Sequence, residues 1–250
     1  MAKLDILTTS DQVAATFEKQ MLQVLRELEK EVLGIVSSTQ TARNVFDSAA
    51  LLNSRPEMIK ALQTSGYTAA VGEYVATYKD VPGEVKAGFV AASIPSPKYV
   101  AADAQLFKTI ASADLEAFGL IGVRAMDELR LGLYRQAVSG APFSQMVEAV
   151  RAATVGTSVT GSPLRNYAYT YANTAHLSFS GEVIIQAGES IGAEQYEVVG
   201  PLDGKTRQVC QDALANPIRP TGDWRMIGYW GGTPGGWNCR HVLYPVVTDD

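Results

Sequence analysis

The sequence predicts an α+β protein: a mostly helical body over residues 1–153, a linker at 154–163, and a small carboxy-terminal α+β module over 164–250. Three observations predict it. Apolar residues recur at helical spacing through the first two-thirds of the chain. The stretch 154–163 (TVGTSVTGSP) consists almost wholly of small and turn-forming residues. Beyond it, short strand-like runs at 195–199 and 241–247 flank a segment rich in Gly, Pro and Trp.

The elements follow in order. Thr9 and Gln12 have the spacing of a capping box, and Val13, Phe17, Met21, Leu25, Leu28, Val32 and Ile35 then line one helical face. The polar run 37–40 ends that helix. A second helix is expected over 42–53 and a short one from Pro56 to Leu62, proline suiting a first turn, with Gly66 as its stop. Residues 67–79 read as helix, 80–83 as a turn, and 84–92 as a short helix that the prolines at 95 and 97 terminate. A helix over 102–111 leads to Asp114, a good cap for a long helix over 115–138 carrying Phe118, Ile121, Ala125, Leu129 and Leu133. Ser144 is expected to cap a helix through Met146 and Val150. After the linker comes a helix over 164–189, its middle weakened by Ser178, Ser180 and Gly181. Strand 195–199, turn 200–204, helix 205–214 and closing strand 241–247 complete the module.

Composition narrows the function classes. The chain is 46% hydrophobic and 19% charged, an ordinary globular balance. No apolar run approaches the roughly 20 residues needed to span a bilayer, so no membrane partner is expected. The first ten residues lack the apolar core of a secretory signal, which points to a cytoplasm or to a particle assembled there. The formal net charge is −5 and no basic cluster stands out, which disfavours strong binding to duplex DNA.

The module carries a constellation of unusual residue types. Asp203, Thr206, Arg207 and Cys210 follow the first strand; Pro234, Asn238, Cys239, Arg240 and His241 precede the last. Here the sequence resembles the head-morphogenesis family typified by the F protein of phage Mu. Its pattern is Asp-x-x-Thr-Arg-x-x-Cys, a Gly/Pro-rich excursion, then Pro-x-His-x-Asn-Cys-Arg-Cys before a final strand. In this chain the second half has Gly236 in place of the histidine and His241 in place of the last cysteine. The helix before the strand, with Tyr171-Ala172-Asn173-Thr174-Ala175, also fits the family. The resemblance is specific over 196–245 and loose over 130–248.

It implies a low-copy minor head (capsid) protein, located in the virion head and in the host cytoplasm during assembly. Its implied partners are the portal protein and the major capsid or scaffolding protein in head assembly, DNA packaging or ejection, with weak contact to packaged double-stranded DNA at most. The expected reading is not an enzyme and assigns no catalytic residue.

Three readings of the cysteines stand side by side. Cys210, Cys239 and His241 are the candidate metal ligands, of the soft or borderline kind zinc prefers, with Asp203 or Asp212 as a fourth. Cys210 and Cys239 could instead form a late disulfide. The favoured reading is structural, with no metal and no cofactor: buried thiols act as small hydrophobes while Asp203, Thr206, Arg207, Asn238 and Arg240 lock the excursion to the helix and strands. In it Asp203 caps the 205–214 helix, and Trp224, Trp230 and Trp237 cover a thin core. The alternative function is a small metal- or thiol-dependent phage enzyme using Cys210 and His241. His176 reads as a core or surface histidine, and the glycines of 231–236 lack the lysine of a phosphate-binding loop.

Overall fold

Helices dominate the chain, and one small antiparallel sheet lies near its carboxy terminus, as the pattern predicts. The computed structural model describes residues 2–41, 45–156 and 162–247, with the backbone alone at 2–7 and at Tyr167. The helices are α1 (Ala2–Ser38), α2 (Ser48–Asn53), α3 (Arg55–Thr64), α4 (Tyr67–Ala76, continued as a 3-10 turn Thr77–Lys79), α5 (Val81–Ala91), α6 (Ala101–Val138), α7 (Phe143–Thr154), α8 (Pro163–Ser190), α9 (Gln208–Ala215) and α10 (Thr221–Met226).

Three expected caps lie elsewhere. The Thr9–Gln12 pair falls inside α1, because the preceding residues, including Ala2, Lys3, Leu4 and Leu7, form helix readily and nothing breaks the chain before Thr9. Asp114 likewise falls inside α6, since no glycine or proline interrupts 101–138 except Gly119, Gly122 and Gly132, which a long packed helix tolerates. Helix α7 starts one residue before Ser144, on Pro142 in an extended conformation with no side-chain cap. The expected turn 80–83 is the first turn of α5, where Pro82 needs no backbone donor. Helix α2 is shorter than the expected 42–53: Asp47 caps it by accepting the Ala50 N–H at 3.0 Å, while 42–44 lie outside the described residues. Of the expected 154–163 linker, residues 157–161 also lie outside them.

The chain forms two compact units. Unit 1 comprises Met1–Ala15, Val75–Asp114 and Thr170–Asp250; unit 2 comprises Thr16–Tyr74 and Leu115–Tyr169.

Unit 2 is helical and packed on aromatic rings. Phe17, Tyr74 and Phe118 form a triangle with centroids 4.7, 5.6 and 5.4 Å apart, the edge-to-face and tilted geometries that ring quadrupoles favour. Met21, Leu25, Leu28 and Val32 of α1 are buried, one face of the helix as their spacing predicts. The Tyr67 hydroxyl, buried, donates to the Phe118 carbonyl at 2.9 Å. On the surface Arg55 holds Asp127 with both ends of its fork, at 2.9 and 3.1 Å.

Unit 1 contains the sheet, with strand order β2 (Ile218–Pro220), β1 (Gln195–Val199), β3 (Val242–Val246), both pairings antiparallel. Its two prolines, Pro220 and Pro245, stand on the edge strands, where a missing N–H costs no ladder bond toward the centre. Tyr196 and Val198 point inward from β1 and pack with Ile185, Cys210, Ala213, Trp224, Tyr229, Cys239 and Leu243 in one core. The Trp224 indole donates to the Tyr196 carbonyl at 2.8 Å, so the largest side chain of this core is buried with its polar atom satisfied. Ser178 and Gly181, which weaken α8 by propensity, are where the glycine-rich excursion docks: a Cβ at Gly181 would overlap the Gly232 backbone, and a Cβ at Gly232 would overlap the Ser178 carbonyl. The expected helix 205–214 begins only at Gln208, after a turn at 203–206. Strand β2 and helix α10 were not expected within 216–237.

Candidate functional site: the Cys210, Cys239 and His241 cluster

Sheet register brings the two halves of the motif together. Val199, the last residue of β1, pairs with Val242, the first of β3, so the chain leaving β1 at 200–203 runs beside the chain entering β3 at 240–241. Asp203 and Arg240 meet there. The guanidinium donates through Nη1 to Oδ2 at 2.8 Å and through Nη2 to Oδ1 at 2.6 Å, the bidentate geometry that matches a planar fork to a carboxylate. Asp203 also accepts the Lys205 N–H at 2.9 Å, and these bonds, Arg240 first, hold its carboxyl well below the usual carboxylate range. Asp203 therefore stabilises a turn and clasps Arg240; it does not cap α9, whose flanking residue Arg207 offers no side-chain cap.

Thr206 fastens the same turn. Its hydroxyl accepts the Asp203 N–H at 2.9 Å and donates to the Pro201 carbonyl at 2.9 Å. Arg207 reaches the Gly236 carbonyl only at 3.4 Å, a weak bond. Pro234 is buried in the excursion. Asn238 is exposed, with φ of 56°, a left-handed conformation that asparagine tolerates better than most residues; its N–H donates to Thr174 Oγ1 at 3.2 Å. Of the three tryptophans, Trp224 is fully buried and Trp230 packs at the core edge. Trp237 is 52% exposed, so it does not cover the core as expected: it follows the Gly235–Gly236 turn and meets the Tyr171 ring, 5.4 Å away.

Behind the clasp lie the thiols. Cys210 comes from the first turn of α9 and Cys239 from the chain before β3; both are buried free thiols, with sulfurs 3.9 Å apart and no bridge between them. His241 joins them, its Nδ1 3.7 Å from Cys239 Sγ. The candidate ligand atoms of Cys210, Cys239 and His241 all lie within 4.8 Å of one another, so the group could hold a metal ion. Neither aspartate considered as a fourth ligand joins them. Asp203 is engaged by Arg240, and Asp212 is exposed, accepting from Gln208 at 2.7 Å.

Electrostatics favour neutral groups. Burial pushes the Cys239 thiol up, against backbone hydrogen bonds at His241 and Gly235. Burial also pushes the His241 imidazole below its ordinary value, with a further push from Arg240 and Arg207 that the Pro201 carbonyl and Asp203 oppose. The Pro201 carbonyl, 3.0 Å from Nε2, can only accept; it therefore places the ring proton on Nε2 and leaves Nδ1 with a lone pair facing the sulfurs. Gly235 closes one side. A Cβ there would lie 2.6 Å from Cys210 Sγ and 2.7 Å from Cys239 Sγ, so only glycine leaves the sulfurs room.

One member escapes sequence reasoning. Tyr229 is 1% exposed, and its hydroxyl makes no hydrogen bond of normal geometry. It nevertheless lies close enough to Cys210 and Cys239 that they add to burial in raising the phenol well above its ordinary range. The sequence signal for it is slight: one tyrosine in an aperiodic run. His176, by contrast, read from the sequence as a core or surface histidine, is buried, 2.9 Å from the Ser10 hydroxyl.

Searches against protein-family models, characterised proteins and solved structures find no match for this chain.

Proposed function

We propose that this chain is a minor head protein of a tailed bacteriophage whose terminal module is a structural clasp. The observation that carries the reading is the bidentate Asp203–Arg240 pair, which joins the first half of the motif to the second across the β1–β3 register. In this reading the motif residues act on the module's own architecture: Thr206 and Asp203 shape the turn, Asn238 supplies a left-handed residue, and Gly235 admits the two thiols. The clasp closes through these contacts.

The partners are the portal protein and the major capsid or scaffolding protein, met in the virion head during assembly in the host cytoplasm. A supporting feature is α6, where Leu120, Leu131 and Val138 are exposed and return to nearly the same helical face at spacings of eleven and seven residues. The net charge of −5 favours protein over phosphate as the main contact. No helix among the described residues is long and apolar enough to cross a membrane.

An enzyme using Cys210 and His241 is the competing reading, supported by the proximity of thiols and imidazole. Two features weigh against a nucleophile: both thiols are buried, and burial raises Cys239 where activation requires the opposite shift. The deciding experiment is co-sedimentation of the purified chain with portal protein in the absence of capsid. Association that Leu120→Glu plus Leu131→Glu abolishes is the expected result; no association across several ionic strengths would overturn the proposal.

A further inference from the structure

We propose that Cys210, Cys239 and His241 form a binding site for one Zn²⁺ ion, with the Tyr229 hydroxyl as the fourth donor, directly or through one water. This rests on the geometry of the three side chains and not on the phage-head reading.

The spacing fits a metal better than a disulfide. A tetrahedral zinc with Zn–S of about 2.3 Å and Zn–N of about 2.0–2.1 Å separates its ligands by roughly 3.5–3.8 Å. Here the sulfurs are 3.9 Å apart, and Cys239 Sγ is 3.7 Å from His241 Nδ1. A disulfide needs about 2.05 Å. The third pair, Cys210 and His241, has its ligand atoms within 4.8 Å, so closing around zinc takes a movement of about an ångström at most.

The orientation of the histidine ring is already fixed. Zinc-binding histidines commonly donate their other ring N–H to a carbonyl, which fixes tautomer and ring orientation. His241 does this through Nε2 to Pro201, and the ring is wedged against Gly200, where a Cβ would overlap it. The unsatisfied Tyr229 hydroxyl points the same way. A buried phenol oxygen with no hydrogen-bond partner of normal geometry is costly unless something occupies its lone pair. An ion among the sulfurs would do so. With Asp203 and Asp212 engaged elsewhere, Tyr229 offers a buried oxygen donor close enough to both sulfurs to feel them.

Charge balances as well. On binding, each thiol releases one proton to solvent, His241 contributes its neutral Nδ1 lone pair, and Tyr229 remains a phenol. Two thiolates and Zn²⁺ then bury no net charge beneath the cationic Arg207 and Arg240. Soft sulfur with imidazole favours Zn²⁺ over Mg²⁺ or Ca²⁺.

The test uses the full chain purified with reductant, stripped with chelator and titrated with Zn²⁺ or Co²⁺ alone. Expected are one zinc per chain and, with cobalt, thiolate-to-metal charge-transfer absorption together with the intense visible bands of tetrahedral Co²⁺. The unsubstituted chain supplies this spectrum, so the test survives if Cys239→Ser does not fold. Cys239→Ser and His241→Gln should each lose the stoichiometric ion, while Asp212→Asn retains it. Tyr229→Phe should keep the ion with affinity lowered about tenfold or more; unchanged affinity overturns the Tyr229 assignment. Absence of the charge-transfer band, an octahedral cobalt spectrum, or a Cys210–Cys239 disulfide in protein purified with zinc but without reductant would overturn the site.

Discussion

The aromatic triangle of unit 2 and the clasp of unit 1 hold their regions by different means. Phe17, Tyr74 and Phe118 exclude water with apolar faces, and any well-packed set of similar volume would serve nearly as well. The clasp instead depends on particular atoms meeting: a guanidinium fork on a carboxylate, a threonine hydroxyl bridging two backbone groups, two sulfurs against a glycine. A short sheet with a glycine-rich excursion buries too little apolar surface to specify its fold by burial alone. Directional contacts supply the remaining specificity. Apolar packing should therefore dominate stability in unit 2, with unit 1 more sensitive to solution conditions.

The sharpest test pairs one core residue from each region. Phe118→Ala and Trp224→Ala both empty fully buried positions, and each should destabilise by about 3–5 kcal/mol in urea unfolding. The Trp224 change also strips the donor from the Tyr196 carbonyl, so it should disturb the spectroscopic signature of the module beyond its loss of stability. Equal structural effects on both regions would remove the distinction.

A smaller effect comes from pH. Burial lowers His176 from its ordinary value to about 4, so the folded protein holds the imidazole neutral. The unfolded chain binds the proton first as pH falls. The stability from a neutral His176 is thus complete above about pH 6.5 and is lost progressively between there and pH 4, reaching about 3 kcal/mol at most. Urea midpoints measured across that window should fall in the parent chain and stay flatter in His176→Gln. Parallel curves would mean that another group carries the acid sensitivity.

How much of this was legible in the sequence follows the same division. The α1 stripe from Phe17 to Val32 was legible because helical periodicity repeats over many turns and tolerates error at the ends. The caps at Thr9 and Asp114 were misplaced because a capping residue marks a start only where the upstream chain is not already helical, and Ser144 because the extended Pro142 already starts α7 one residue earlier. Strand β2 has three residues with Ile218 exposed, so it shows no alternation to read. Asp203, Cys210, Cys239, Arg240 and His241 were legible as a set through their unusual types and fixed spacing. Their pairing was not, because which atoms meet is decided by the β1–β3 register. Tyr229 was invisible for a related reason: its place beside the sulfurs depends on the path of an aperiodic loop.

The smallest effect tests the clasp itself. Asp203 and Arg240 are partly exposed, so solvent and salt screen their attraction, and the pair adds less stability than either core residue. Its signature lies in conditions. The Asp203 carboxyl is held below its ordinary value chiefly by Arg240, so its contribution is present above the unfolded carboxylate range near pH 4 and is lost as pH falls through the lower folded value. Asp203→Asn should remove that acid-side slope and weaken the dependence of unfolding on added salt, while leaving the buried core of unit 2 unchanged by hydrogen exchange. Arg240→Lys keeps the charge but not the fork, so it separates geometry from charge. If the lysine variant matches the parent in salt and acid response, charge alone suffices. If it behaves like Asp203→Asn, the two-point geometry is what fastens the halves of the motif.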